Sequence, residues 1–455
     1  MTKREFTFHE KMKLFQQRHK KHALRDSLIT LAVLSIPLFG WSMFVAGGEP
    51  QETREDDVEY RMSMVGDMLL GRHVLDAANQ QGEDISRVFR YVEPFFEDSD
   101  FTTGNFENPV IGEFDVSEID ERIAEDDIDI EELSNSIYRE EGLQEAGFSE
   151  SDIDTFRLPE DAIEEAELYN KDIHFYAEPN SIDALIDAGF DSVNLANNHM
   201  LDYGSLSAEQ TLAHFKDHED EIDTHGIGDL LTTNEDNVEE DELNAGEVKT
   251  YDIDDDTTMG IVGITDVFVQ GFSASDTVSG VFTTEYVGLE VLRSQMNDVQ
   301  DDVDILAVHI HWGDEYQVGY NEEQEELADF LANNGADLII GHHSHVLEPV
   351  TIEEGNDGNN TLVINSLGNF VFDQGWSRTK ESAIAQLDFL EDGSRELSFV
   401  PMRIQDTIPR ETAGPLKPYY DYRIFRTLRK ELDRDLWDVE NDRLVIDLDA
   451  AGVLD

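Results

Sequence analysis

The chain of 455 residues contains no cysteine. Disulfides, thiolate nucleophiles and cysteine-ligated zinc are therefore excluded. Positive charge is the second scarcity. Beyond residue 50 there are 24 Lys and Arg against 98 Asp and Glu. Only six of those cations are lysines: Lys171, Lys216, Lys249, Lys380, Lys417 and Lys430. Phosphate backbones need a basic face, so no nucleic acid is expected as a partner. Apolar runs long enough to span a bilayer are missing after residue 47, so no second span is expected. No internal repeat is present.

Negative charge is what the chain has in excess, with a formal net charge of −70. Self-repulsion on that scale destabilises a compact state in ordinary salt, and high salt screens it. The composition therefore predicts a halophile protein with a solvated acidic surface. A calcium-loaded surface is the alternative.

The N-terminus has the opposite character. Residues 3–25 carry Lys3, Arg4, Lys11, Lys13, Arg18, Lys20, Lys21 and Arg25. Ser27–Gly47 then has no charge and is rich in Leu, Ile, Val and Phe. A span needs about 20 apolar residues, and basic flanks stay inside. The expectation is a single-pass cell-membrane protein: a cytoplasmic segment over 1–26, a transmembrane anchor over 27–47, and an extracellular main domain. A cleaved signal peptide is the rival, because Val45-Ala46-Gly47-Gly48 offers small residues. Residues 48–57 read as a linker and 58–405 as the folded domain. An acidic insertion covers about 112–168, and 406–455 reads as an acidic C-terminal region.

Within 58–405, short apolar runs alternate with amphipathic segments, which predicts an α/β fold. Ile305–Ile310 and Gly260–Ile264 read as buried strands, and Ser181–Ala188 as a helix stopped by Gly189. In such folds, ligands gather beyond the carboxyl ends of strands. Residues with metal chemistry follow one apolar run after another. Asp67 follows Met62–Val65. Glu107 closes Phe101–Asn105. Asn198 and His199 follow Val193–Ala196. His309 and His311 end one run, and His342, His343 and His345 follow another. Imidazole, carboxylate and amide oxygen hold divalent metals without thiolate.

Each motif has a specific logic. Gly66-Asp67 puts a carboxylate on a tight turn, where it serves as a metal ligand or as a helix cap. Arg72 could hold an anionic oxygen. His199 is either a ligand or a proton donor, with Asp202, three residues on, to orient it. His309 and His311 share a strand face, either both as ligands or one as a ligand and one packed. His343 and His345 sit two apart, as two ligands on an extended segment would, leaving His342 to point away.

Together, Gly66-Asp67…Gly71-Arg72, Asn105-Phe106-Glu107, Asn197-Asn198-His199…Asp202-Tyr203-Gly204, His311-Trp312-Gly313-Asp314-Glu315-Tyr316, Gly341-His342-His343-Ser344-His345-Val346 and Ser366-Leu367-Gly368-Asn369-Phe370 resemble the CapA family of capsule-biosynthesis and poly-γ-glutamate-synthesis proteins. The resemblance implies a calcineurin-like metallophosphoesterase fold, a four-layer α/β/β/α sandwich. It implies that Asp67 and Glu107 match the carboxylate ligands, Asn198 and His199 the Asn-His pair, and His343 and His345 the closing His-x-His. With the reading of the residues themselves, the expected metal ligands are Asp67, Glu107, Asn198, His311, His343 and His345, and His199, Asp202 and Arg72 are expected in catalysis. One or two divalent ions (Mn, Zn or Fe) would serve a metal-dependent hydrolase acting on an anionic polymer or a phosphoester. The alternative is a non-catalytic, metal-containing subunit of a membrane synthetase or export complex. One position departs from the pattern. Metallophosphoesterases usually open with Asp-x-His, and here the third position is Leu69, with His73 as the nearest substitute.

Overall fold

The computed structural model describes residues 54–112, 173–229, 244–254, 257–268, 271–275, 279–300, 302–356 and 358–454, with a few isolated positions before residue 32. The acidic insertion at 112–168 lies almost wholly outside the described residues. Contacts divide the chain into two units, Met1–Glu49 with Ala413–Tyr419 and Pro50–Thr412 with Tyr420–Asp455. The described part of the first unit includes the short turn Gly414–Leu416.

The expected anchor over 27–47 is corrected, and with it the single-pass membrane placement, the cytoplasmic N-terminus and the extracellular domain. Among the described residues no helix is long and apolar enough to cross a membrane. Crossing requires about 20 apolar residues in one helix. The Tyr286–Val299 helix has 14 residues in all, polar ones among them, and is amphipathic. Most of 27–47 itself lies outside the described residues.

In the second unit two large sheets form. The ten-stranded sheet runs Trp437–Glu440, Arg443–Asp447, Arg395–Gln405, Glu381–Leu390, Val58–Met68, Phe101–Phe106, Ser192–Asn194, Asp223–His225. Asn369–Val371 and Ile408–Glu411 pair off this path. From Val58–Met68 to Asp223–His225 the strands are parallel, and towards Trp437–Glu440 they are antiparallel. The six-stranded sheet runs Val350–Glu354, Asn360–Ile364, Leu338–His342, Ile305–His311, Thr258–Thr265, Lys249–Asp252, with its four central strands parallel.

Alternation along the strands explains the layering, since successive side chains face opposite ways. Ile305, Ala307, Leu338 and Ile340 share one core with Met62, Met64, Ala385 and Leu387 of the other sheet. The intervening Leu306, Val308 and Ile339 pack instead on Leu292, Met296 and Leu331 of two helices. On the far side, Val65, Leu69 and Val193 pack against Val74, Ile182 and Leu185. Both sheet faces are therefore apolar, and the strands read as continuous hydrophobic runs.

The region after 406 is not a tail. Trp437–Glu440 and Arg443–Asp447 extend the first sheet, and Ile424, Phe425 and Leu428 of the Lys417–Leu428 helix join the inter-sheet core. Its charges sit between apolar positions whose partners lie on Arg395–Gln405, out of reach of a local reading.

Candidate metal centre

The carboxyl ends of five parallel strands, from both sheets, deliver the candidate ligands. Asp67 leaves Val58–Met68, Glu107 follows Phe101–Phe106, and the Asn197–His199 turn follows Ser192–Asn194. His311 ends Ile305–His311, and His343 and His345 follow Leu338–His342. All but Asn198 are 5% exposed or less. Glu107, His343 and His345 offer ligand atoms that lie within 4.8 Å of one another.

The remaining predicted ligands surround that trio. His345 Nδ1 is 3.2 Å from Asp67 Oδ2, and His345 Nε2 is 3.8 Å from Glu107 Oε1. His311 Nε2 lies 3.6 Å from Glu107 Oε1, 3.1 Å from His343 Nδ1 and 3.0 Å from Asn198 Oδ1. The His343 backbone N–H donates to Asp67 at 3.3 Å. A buried set of imidazole nitrogens, carboxylates and an amide oxygen fits a divalent transition ion.

His199 and Asp202 form a separate pair at the rim. His199 Nδ1 is 2.7 Å from Asp202 Oδ2, which also accepts the Phe175 backbone N–H at 2.7 Å. The Phe175 ring stacks on the imidazole at 3.7 Å. His199 Nε2 is thereby turned inward, 4.0 Å from Glu107 Oε1. Arg72 is not among the ligands. It lies 5.0 Å over the other partner in this stack, Phe175, and its Nε is 3.4 Å from Asp373.

Burial and neighbouring charge set the protonation states. Burial presses the Asp67 carboxyl upward, but the His345 hydrogen bond and charge, with His342 and Asn105, hold it below the ordinary carboxylate value. Burial pushes His345 down, yet Glu107 and Asp67 outweigh it and raise it to about 9. Burial and the surrounding imidazoles keep His311 neutral, well below its usual value. A cation binding here would displace protons from this cluster.

Local backbone geometry departs from the sequence reading in one respect. His343 and His345 do not lie on an extended segment. Their φ angles are 88° and 58°, in the left-handed region, so the ligands project from successive bends. Strain of this kind costs about 1–3 kcal/mol per residue and persists only where packing enforces it. His342 turns back between the sheets, with its Nε2 3.0 Å from His309 Nδ1. His309 in turn meets Thr103 at 3.1 Å and is a packed residue, one strand repeat deeper than His311.

Two positions bear on the departure from Asp-x-His. Leu69 is buried in the helix-side core. His73 is exposed and pairs with Asp76 at 3.3 Å, so it does not replace the missing imidazole.

Three residues of the site were not assigned from the sequence. Asn105 donates to Asp67 at 2.9 Å and lies 3.2 Å from His311 Nδ1, fixing a ligand from each sheet. Its place beside Glu107 in the Asn105-Phe106-Glu107 motif was the available signal. Phe175 follows His174 and gave no signal. Asn369, which belongs to the Ser366-Leu367-Gly368-Asn369-Phe370 motif, has its Oδ1 2.9 Å from His345 Nδ1. Above His345, Tyr316 stacks at 5.8 Å and meets the exposed Trp376 edge-on at 4.7 Å, forming an aromatic wall at the mouth.

Comparisons with known proteins show the family. The family described as Bacterial capsule synthesis protein PGA_cap matches residues 61–124 and 141–374. The Capsule biosynthesis protein CapA of Bacillus anthracis is 31% identical over 460 residues, covering 100% of this chain and 93% of that protein. The PGA biosynthesis protein CapA of Bacillus subtilis (strain 168) is 30% identical over 456 residues, covering 99% of each.

Proposed function

The chain belongs to the bacterial capsule synthesis family, and on that premise we propose that it is a metal-dependent hydrolase in capsule or poly-γ-glutamate synthesis or export. The observation that carries this reading is the buried trio of Glu107, His343 and His345, with ligand atoms within 4.8 Å of one another. These three would hold one divalent cation, with Asp67, Asn198 and His311 around it. When bound, such a cation activates a water and offsets negative charge developing on the substrate.

The other roles belong to the chain. Asn105 keeps Asp67 and His311 in place through its amide. Asp202 holds His199 Nδ1, so Nε2 is the nitrogen that can give a proton to a leaving group. Phe175 covers one face of that imidazole and keeps water off it. The substrate bond is a phosphodiester or a γ-glutamyl amide in an anionic polymer.

Elemental analysis joined to turnover of both substrate types tests this. His199→Ala should keep its metal and lose about 10²–10⁴-fold in turnover. Asp202→Asn should lower the rate and also shift the pH profile. A metal-loaded His199→Ala protein with full activity would remove His199 from the mechanism. Leu69 favours a second reading, because an apolar side chain stands where a second cation would need a ligand. In it the chain is a non-catalytic, metal-containing subunit beside a polymer synthetase. Co-purification with that synthetase, with no turnover of either substrate, is its signature.

A further inference from the structure

The metal centre uses nothing from the Lys417–Leu428 helix or the chain after it. Beyond the helix, the chain passes through Arg434–Leu436 into the edge strand Trp437–Glu440. An open cleft of about 390 Å³ there is lined by Tyr422, Arg426, Arg429, Lys430, Arg434 and Trp437. Four of the 24 cations beyond residue 50 meet in it, and no carboxylate lines it. Its lining is thus the inverse of the molecule's composition.

Trp437 organises the cleft. The Arg429 guanidinium lies 3.7 Å from its ring centroid and that of Arg434 4.0 Å. Arg434 Nη1 also donates to the Trp437 carbonyl at 2.7 Å. Lys430 pairs with Glu431 at 2.6 Å. Elsewhere Arg61, Arg87, Arg378 and Arg423 each pair with a carboxylate. Among the described residues Arg426, Arg429 and Arg434 form no ion pair with a carboxylate. Two guanidiniums held on one indole repel each other unless an anion sits between them. Burial and the nearby Arg434 charge already press Arg429 below its ordinary pKa. Basic residues at a helix C-terminus can simply offset its dipole. That accounts for Arg426, Arg429 and Lys430, but not for Arg434 or Trp437, which lie past the helix.

We propose that this cleft binds an extended polycarboxylate chain. Guanidinium forks take carboxylates two-pronged, and the indole fixes their planes beforehand. Four cations line one open cleft, which suits several carboxylates of one chain better than a single small anion. The assignment rests on the reading that the polymer is anionic. It also gives such a polymer a landing place on a surface that otherwise repels it.

Isothermal titration of the full chain with poly-γ-glutamate fragments tests the proposal, with inorganic phosphate and neutral dextran alongside. Arg429→Gln/Arg434→Gln should bind the fragments roughly tenfold more weakly or worse, because two charge-assisted contacts are removed. Its metal content and its turnover of a small substrate should not change. If the double variant fails to fold, the exposed Arg426→Gln should still weaken binding severalfold. Equal affinity of wild type and variants would overturn the proposal. So would phosphate binding as tightly as the polymer, since that marks a site for free anions. Loss of polymer binding with metal and turnover intact separates this cleft from the catalytic reading. Failure of turnover with binding intact does the converse.

Discussion

Glu348 lies three residues past His345 and is 1% exposed. Its Oε2 accepts from Gln324 Nε2 at 2.9 Å, while Oε1 has no hydrogen-bond partner among the described residues. Burial, with the Asp314 charge, raises its pKa from 4.5 to about 8 despite the Gln324 bond. The folded state therefore holds this proton from pH 4.5 to about 8, while the unfolded chain releases it. Stability from this group is full below pH 4.5 and is lost as pH rises towards 8, at roughly 1.4 kcal/mol per unit. Glu348→Gln keeps the Gln324 contact and removes the titration. It should raise the denaturant midpoint at pH 8 and leave it nearly unchanged at pH 4.5. An equal shift at both values would show that packing, not protonation, distinguishes the two side chains. At this scale the sequence disclosed, by chemical type, the groups that are candidates for metal binding. It was silent on groups such as Asn105, Phe175 and Glu348, whose properties come from what surrounds them.

Elements bring the ligands to the rim, and glycine sets how closely they pack. A Cβ on Gly341 would lie 2.0 Å from the Asn365 carbonyl oxygen and 2.6 Å from Trp312 Nε1. Those two atoms are themselves hydrogen-bonded at 2.9 Å. Gly341→Ala must push the end of Leu338–His342 away from Asn360–Ile364. The expected cost is about 1–3 kcal/mol or more, together with reduced metal content, because His343 and His345 follow directly. Chemical denaturation and elemental analysis check both, and a wild-type midpoint with full metal would refute the close approach. Strand ends were legible here because apolar runs stop where ligand residues begin. The bends at His343 and His345 were not, because His-Ser-His spacing fits an extended chain equally well. The strands after residue 406 were hidden for a related reason. Trp437–Glu440 alternates apolar and charged residues and Arg443–Asp447 is a three-residue apolar run between charges, and only the pairing of Arg443–Asp447 with Arg395–Gln405 makes these short segments a sheet edge.

Over the whole molecule, a net charge of −70 makes self-repulsion a standing load on the folded state. Added salt should raise the melting temperature steeply between low and molar concentrations, and a neutral osmolyte of equal osmolality should do less. A flat salt response would mean that the acidic surface is neutralised by bound cations. Composition and motif order by themselves determined the absence of thiol chemistry, the alternating α/β pattern, the family resemblance and the set of candidate metal ligands. These depend only on which side chains exist and on which apolar runs they follow. They also suggested a membrane anchor that no described helix provides. Only the tertiary structure decided which imidazoles meet. His311 reaches Glu107 while His309 stays packed one repeat below, because two sheets stacked face to face fix their relative depth. It alone decided that Leu69 is core and His73 solvent, and that four scattered cations share a cleft with Trp437. Such meetings join residues far apart along the chain or past its turns, and a linear pattern holds no measure of the distance between them.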